Sequence, residues 1–107
     1  EVHDCFTVNE LLCAEAIGLS KPGRAGFDLM EGKFNPDGDC PINLSGGLKA
    51  KGHPVGATGA SMHALAYKQL IGEPIGVAAK NNAETAMTVN IGGSGVTNCV
   101  SVLKRIQ

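Results

Sequence analysis

The chain has 107 residues, 43% of them hydrophobic and 18% charged, with a formal net charge of −1. That describes one small domain of ordinary soluble balance, with no basic surface for nucleic acid and no apolar run of the ~18 residues that a membrane helix needs. Aromatic residues make up only 4% with no Trp, which leaves no platform for stacked bases, and the fifteen glycines cluster, with five at 46–59 and three at 92–95, instead of spreading as a linker would.

In chain order, Glu1–Phe6 (EVHDCF) reads as the end of a strand and a turn; with no signal peptide, no Met and no disordered lead-in, it reads like the middle of a larger protein. Thr7-Val8-Asn9-Glu10 fits a capping box, Thr7 as N-cap and Glu10 at N3, with Phe6 and Leu11 as a hydrophobic staple. The helix runs through LLCAEAI and stops near Gly18. Residues 20–40, with Pro22, Gly23, Pro36 and Gly38, read as an exposed excursion holding one helical turn at Ala25–Glu31. Ile42–Leu44 reads as a short strand, followed by the glycine loop SGGLKAKGHPVGATG.

A second helix opens at Pro54, a favoured first helical residue, and runs to about Ile71, before Gly72 and Pro74. Its first half, GATGASM, is nearly all small. Small side chains let other backbones come close and predict burial on several sides; the other reading is a poorly formed surface helix, since glycine costs about 1 kcal/mol against alanine. Two strands close the chain, Ala86–Ile91 and Val96–Leu103, joined by Gly92-Gly93-Ser94-Gly95. In the second, Thr97, Cys99, Ser101 and Leu103 face one way and Val96, Asn98, Val100 and Val102 the other.

Cys5, Cys13, Cys40 and Cys99 form no C-x-x-C pair, so neither a disulfide framework nor a zinc site is expected, and no metal. Reduced thiols point to a cytoplasmic protein. Cys5 lies just ahead of a helix start, whose partial positive charge favours a thiolate; it is either a tuned thiol or a small thiol packed under the helix. His53, between Gly52 and Pro54, can project into a cleft and donate to a developing oxyanion, or be a turn histidine satisfied locally. His63, mid-helix, reads as structural or solvent-facing. The loop lacks the GxxxxGK[ST] of a phosphate cradle. Lys49 and Lys51 are placed to meet ligand phosphates from its rim, or are solvated charges.

Three blocks, HDCF at 3–6, GGLKAKGHPVGATG at 46–59 and NIGGSG at 90–95, come in the order and spacing of one family. The chain resembles the C-terminal half of a thiolase over essentially its whole length. HDCF in place of the commoner NEAF makes it similar to the sterol-carrier-protein type and to archaeal acetoacetyl-CoA thiolases. The resemblance implies an α/β fold, a mixed five-stranded-type sheet with helices on both faces, here without its first strand and helix, so that one face of the second helix stands uncovered.

It also implies roles. His53 would activate a nucleophilic cysteine and build an oxyanion hole, Cys5 would be the acid/base thiol, and His3 would stand where NEAF enzymes orient a water. The usual C-x-G block reads Asn90-Ile91-Gly92, without its cysteine, and Gly92 keeps the place whose backbone lines the second oxyanion hole. Lys49, Lys51 and Gly52 would meet the substrate. Cys99 matches no catalytic position and is expected in the core.

The resemblance implies coenzyme A thioesters as substrates, no further cofactor, and Claisen condensation or thiolysis of 3-ketoacyl-CoA. The nucleophile belongs to the N-terminal half, which these residues do not contain, so the piece by itself is expected to be inactive and to need that half. A homo-oligomer is implied. The archaeal type is similar in pairing with an OB-fold, zinc-ribbon protein and a hydroxymethylglutaryl-CoA synthase. Two alternatives are a non-catalytic subunit scaffolding a complex and a steroid side-chain aldolase. Cys5 and His53 are expected within about 8 Å of each other, room for one substrate atom between them.

Overall fold

A computed structural model describes residues 1–106. Its elements are α1 (Thr7–Ala16), α2 (Ala25–Met30), α3 (Gly47–Lys51), α4 (Thr58–Leu70), β1 (Thr85–Gly92) and β2 (Thr97–Lys104). The strands form an antiparallel hairpin in register from Thr85↔Lys104 to Gly92↔Thr97. Its turn relies on Gly93 and Gly95 at φ 59° and 86°, conformations that cost a residue with a Cβ.

The hairpin is the described sheet, and a third chain segment touches it. Val2 makes a parallel bridge to Val89, flanked by the Glu1 amine donating to Met87 O and Val89 N–H donating to Glu1 O, both at 2.9 Å. The five-stranded mixed sheet expected from the resemblance is therefore seen as two strands and one parallel bridge. Helices on both faces do appear at β1. Val89 lies in a core cluster with Val2, Cys13, Ala14, Ala25, Phe34 and Ile42, and Ile91 packs against it. The alternate residue Asn90 lies against Gly59 of α4, as the two-residue period of a strand requires. Met62, Leu65, Ala66 and Leu70 form the buried side of α4.

Several local expectations change. Thr7 is already helical and Phe6 takes the N-cap position at φ −129°, ψ 150°, with no side-chain cap bond. The capping box and staple are absent as drawn, and Phe6 is 71% exposed. The excursion at 20–40 is pinned down, because Ala25 and Phe34 reach the core. Ile42–Leu44 is not a strand: Asn43 sits at φ 50°, which breaks an extended run. Its carboxamide Oδ1 accepts Val2 N–H at 2.8 Å. The glycine loop contains α3, which was not foreseen. Ahead of α4, residues 54–57 form a turn in which Ala57 and Thr58 N–H both donate to Pro54 O, at 2.8 and 2.9 Å. The small-residue half is covered on one side only: Thr58 and Met62 are buried, Gly56, Ala57 and Ala60 exposed. Gly59 alone there meets a close neighbour, since a Cβ would stand 2.9 Å from Asn90 Nδ2. Cys99 is exposed, not core, because among the described residues nothing covers the Thr97–Val100 half of β2.

Candidate active site

His3 leaves the bridge at Val2 as a buried side chain, 4% exposed. Its Nδ1 lies 2.7 Å from Asn90 Oδ1. A carboxamide oxygen only accepts, so Nδ1 carries the proton, and in the neutral ring Nε2 keeps its lone pair. The ring meets that of His53 edge to face, centroids 4.9 Å apart and planes at 89°. Residues fifty apart in sequence thus share one spot, because β1 holds Asn90 under His3 while α3 delivers the chain to His53.

His53 is exposed and held from one side. Its Nδ1 lies 2.6 Å from Thr58 Oγ1, and that hydroxyl donates to Pro54 O at 3.1 Å. A hydroxyl has one proton. Both bonds exist together only when Nδ1–H donates to Thr58, and in the neutral ring Nε2 then keeps its lone pair. Such a nitrogen can take a proton from a thiol and then donate it to an oxyanion.

Cys5 follows His3 by two residues and is half-buried. Its sulfur accepts a hydrogen bond from Asn9 Nδ2 at 3.2 Å. Beneath it, burial pushes the Cys13 thiol above its ordinary 9.0. Burial likewise raises the Cys40 thiol, and together with the nearby Asp4 charge raises Glu10 above 4.5. Gly92, half-buried, ends β1 two residues beyond Asn90.

The two lysines part company. Lys51 pairs with Glu1 at 3.2 Å, the side chains only 18% and 7% exposed, and Ser45 Oγ donates to the same carboxylate at 2.8 Å. Lys49 and Gly52 are exposed. His63 is exposed and bonded to Gly59 O at 2.7 Å. Among the described residues no cluster of three His, Cys, Asp or Glu could hold a metal ion.

The structure joins His3, His53 and Asn90 in one cluster with Cys5 on the adjoining turn, and ties Lys51 into the fold. Asn90, Thr58, Asn9 and Asp4 were not singled out as side chains that hold this cluster. Asp4 offered one signal, a carboxylate flanked by two candidate site residues.

A family described as "Thiolase C-terminal domain-like" matches residues 1–105. The chain is 47% identical over 105 residues to an acetyl-CoA acetyltransferase of Methanothermobacter thermautotrophicus, covering 98% of this chain and 27% of that protein. It is 41% identical over 109 residues to an acetyl-CoA acetyltransferase of Methanocaldococcus jannaschii, covering 96% and 27%. Against sterol carrier protein 2 of Homo sapiens it is 43% identical over 95 residues, covering 89% and 17%. The chain thus spans about a quarter, or less, of the length of these relatives.

Proposed function

Since the chain belongs to the thiolase family, matching its C-terminal-domain region, we propose that it supplies the acid/base and oxyanion half of an acyl-CoA thiolase site. The reaction is Claisen condensation or thiolysis of 3-ketoacyl-CoA. The observation that carries this reading is the contact of His3 with His53, whose Nε2 is left bare by Thr58.

The nucleophilic cysteine comes from an N-terminal thiolase half; Cys13 is too buried to serve. His53 Nε2 takes the nucleophile's proton, and the thiolate attacks the acyl carbonyl. His53 then donates Nε2–H to the oxyanion, which collapses to the acyl-enzyme as the carbon–sulfur bond to CoA breaks and the departing sulfur takes that proton. In condensation Cys5 removes a proton from the α-carbon of acetyl-CoA. The enolate oxygen is held at a water positioned by His3 while its carbon attacks the acyl-enzyme carbonyl; the new tetrahedral oxyanion is held at the Gly92 N–H and collapses as the nucleophilic thiolate leaves and takes back the proton held by Cys5. Each such donor is worth about 3 kcal/mol in related oxyanion holes. Lys49 and Gly52, on the exposed side of the loop, are assigned to the CoA phosphates, with Lys51 behind them. The assembled enzyme is a homo-oligomer, and this piece without the nucleophile does not turn over.

The test uses the full chain that contains this segment. Cys5→Ala is expected to give a burst of acyl-enzyme with no condensation or thiolysis, and His53→Ala to lose the burst as well. Absence of thiolysis in the wild type overturns the reading. Loss of the burst in Cys5→Ala refutes the division of labour between Cys5 and His53.

A further inference from the structure

The five-residue helix α3 is far too short to hold its own shape or place, since isolated helices below ~12 residues are marginal in water. Something else must seat it, and its seat decides where His53 stands. Only Gly52 lies between its last residue, Lys51, and His53.

Two contacts do the seating, both made by the segment that carries His3 and Cys5. At the start of α3, Asp4 Oδ1 accepts Leu48 N–H at 2.8 Å across 44 residues of sequence. Gly47 is at φ +67°, and a Cβ built there would overlap Asp4 Oδ2. Gly47 and Leu48 are both buried and Asp4 is half-buried, its carboxylate set against their backbone. At the other end Lys51 pairs with Glu1, whose carboxylate also accepts from Ser45 just ahead of the helix. We propose that Asp4 is a positioning residue, which locks the helix leading to His53 onto the segment that bears His3 and Cys5 and so sets the contact between the two imidazoles. The inference rests on the thiolase reading above for its catalytic consequence.

The mechanism is geometric. Asp4 touches neither substrate nor a reacting atom. With its carboxylate gone, Leu48 N–H has no side-chain partner and the space against Gly47 is empty. The helix start can then shift, carrying His53 away from His3. A displacement of about 1 Å in such a site can cost about a hundredfold in rate.

The experiment compares Asp4→Ala, Asp4→Asn, Gly47→Ala and the double variant Asp4→Ala/Gly47→Ala in the full chain. It reads kcat and KM for thiolysis of acetoacetyl-CoA, and amide exchange over residues 46–53. Asp4→Ala should lose about a hundredfold in kcat, with KM within about threefold, and should speed exchange at Leu48. Asp4→Asn keeps the accepting oxygen and should recover both to within about fivefold of wild type. Gly47→Ala should be impaired in the wild-type background, and the double variant should fall short of the product of the two effects, because the clash with Asp4 is then gone and only the cost of a Cβ at φ +67° remains. An Asp4→Ala enzyme with near wild-type kcat, additive effects of the two substitutions, or an Asp4→Asn as impaired as Asp4→Ala would each overturn the proposal. Wild-type thiolysis tests the thiolase reading separately. If that is absent, unchanged exchange at Leu48 in Asp4→Ala overturns the clamp, and faster exchange with recovery in Asp4→Asn upholds it.

Discussion

Replacing Thr58 by Val exchanges its hydroxyl for a methyl of similar size that can neither accept nor donate a hydrogen bond, which makes it a probe of how His53 is held. Thr58 is 1% exposed and its hydroxyl makes two bonds, accepting from His53 Nδ1–H and donating to Pro54 O. The structure limits the stability cost. Pro54 O keeps its two backbone donors, Ala57 and Thr58 N–H, and the exposed His53 can turn its Nδ1–H to water. No buried polar group is orphaned, so the loss should be that of one or two net hydrogen bonds, about 1–2 kcal/mol. The activity cost should be larger in proportion. Freed from Thr58, the ring rotates and exchanges tautomers, and Nε2 is bare and correctly aimed only part of the time. A ten- to hundredfold fall in acyl-enzyme formation is expected, about 1.4–2.7 kcal/mol in the barrier. The assay is single-turnover acylation in the full chain, with chemical denaturation alongside and nitrogen-15 shifts of the His53 ring to read the tautomer. Thr58→Ser keeps the hydroxyl and should restore both rate and tautomer. Acylation within twofold of wild type in Thr58→Val, or a Thr58→Ser as slow as Thr58→Val, would refute the reasoning.

Thiol reactivity should follow exposure and burial: at about pH 8 iodoacetamide should label Cys99, which is exposed, well before Cys13, which is buried and pushed above 9.0. Peptide mass spectrometry reads the order, and equal rates at the two sites would contradict the packing of α1. Asp28 is held below its ordinary 3.8, chiefly by the Ser20 hydroxyl, which outweighs desolvation, with the Lys33 and Arg24 charges adding smaller effects. A carboxyl depressed on folding contributes stability that is present above 3.8 and lost as the pH falls below it through the lower folded value. Ser20→Ala should therefore be less stable than wild type near neutral pH, with the difference shrinking below 3.8 in denaturation curves; a difference unchanged by acid would mean that Ser20 acts by packing alone.

Local chemistry determined a good part of this molecule by itself. Glycine at 93 and 95 specifies a hairpin turn that few other residues tolerate, and the alternation on either side specifies two strands, found within a residue or two of the expected ends. The helix at 7–16 and its stop at Gly18, at φ 80°, follow from composition and from the conformations glycine permits. The blocks HDCF and GHPVGATG were enough to point to the family, because they are contiguous and need no fold to be seen. What lay beyond reach were matters of partnership. That Lys51 pairs with Glu1, whether Cys99 is covered, and which oxygen holds His3 are decided by contacts between segments far apart in the chain, such as the His3–Asn90 bond across 87 residues. A carboxylate such as Asp4 has the same intrinsic preferences on a surface as in a clamp. Only the arrival of Gly47 and Leu48 against it, which no local propensity encodes, makes it the seat of α3. The strand expected at Ile42–Leu44 failed for the same reason: its residue types suit a strand, but the tertiary bond from Val2 N–H to Asn43 Oδ1 comes with Asn43 in the left-handed region, which ends the extended run.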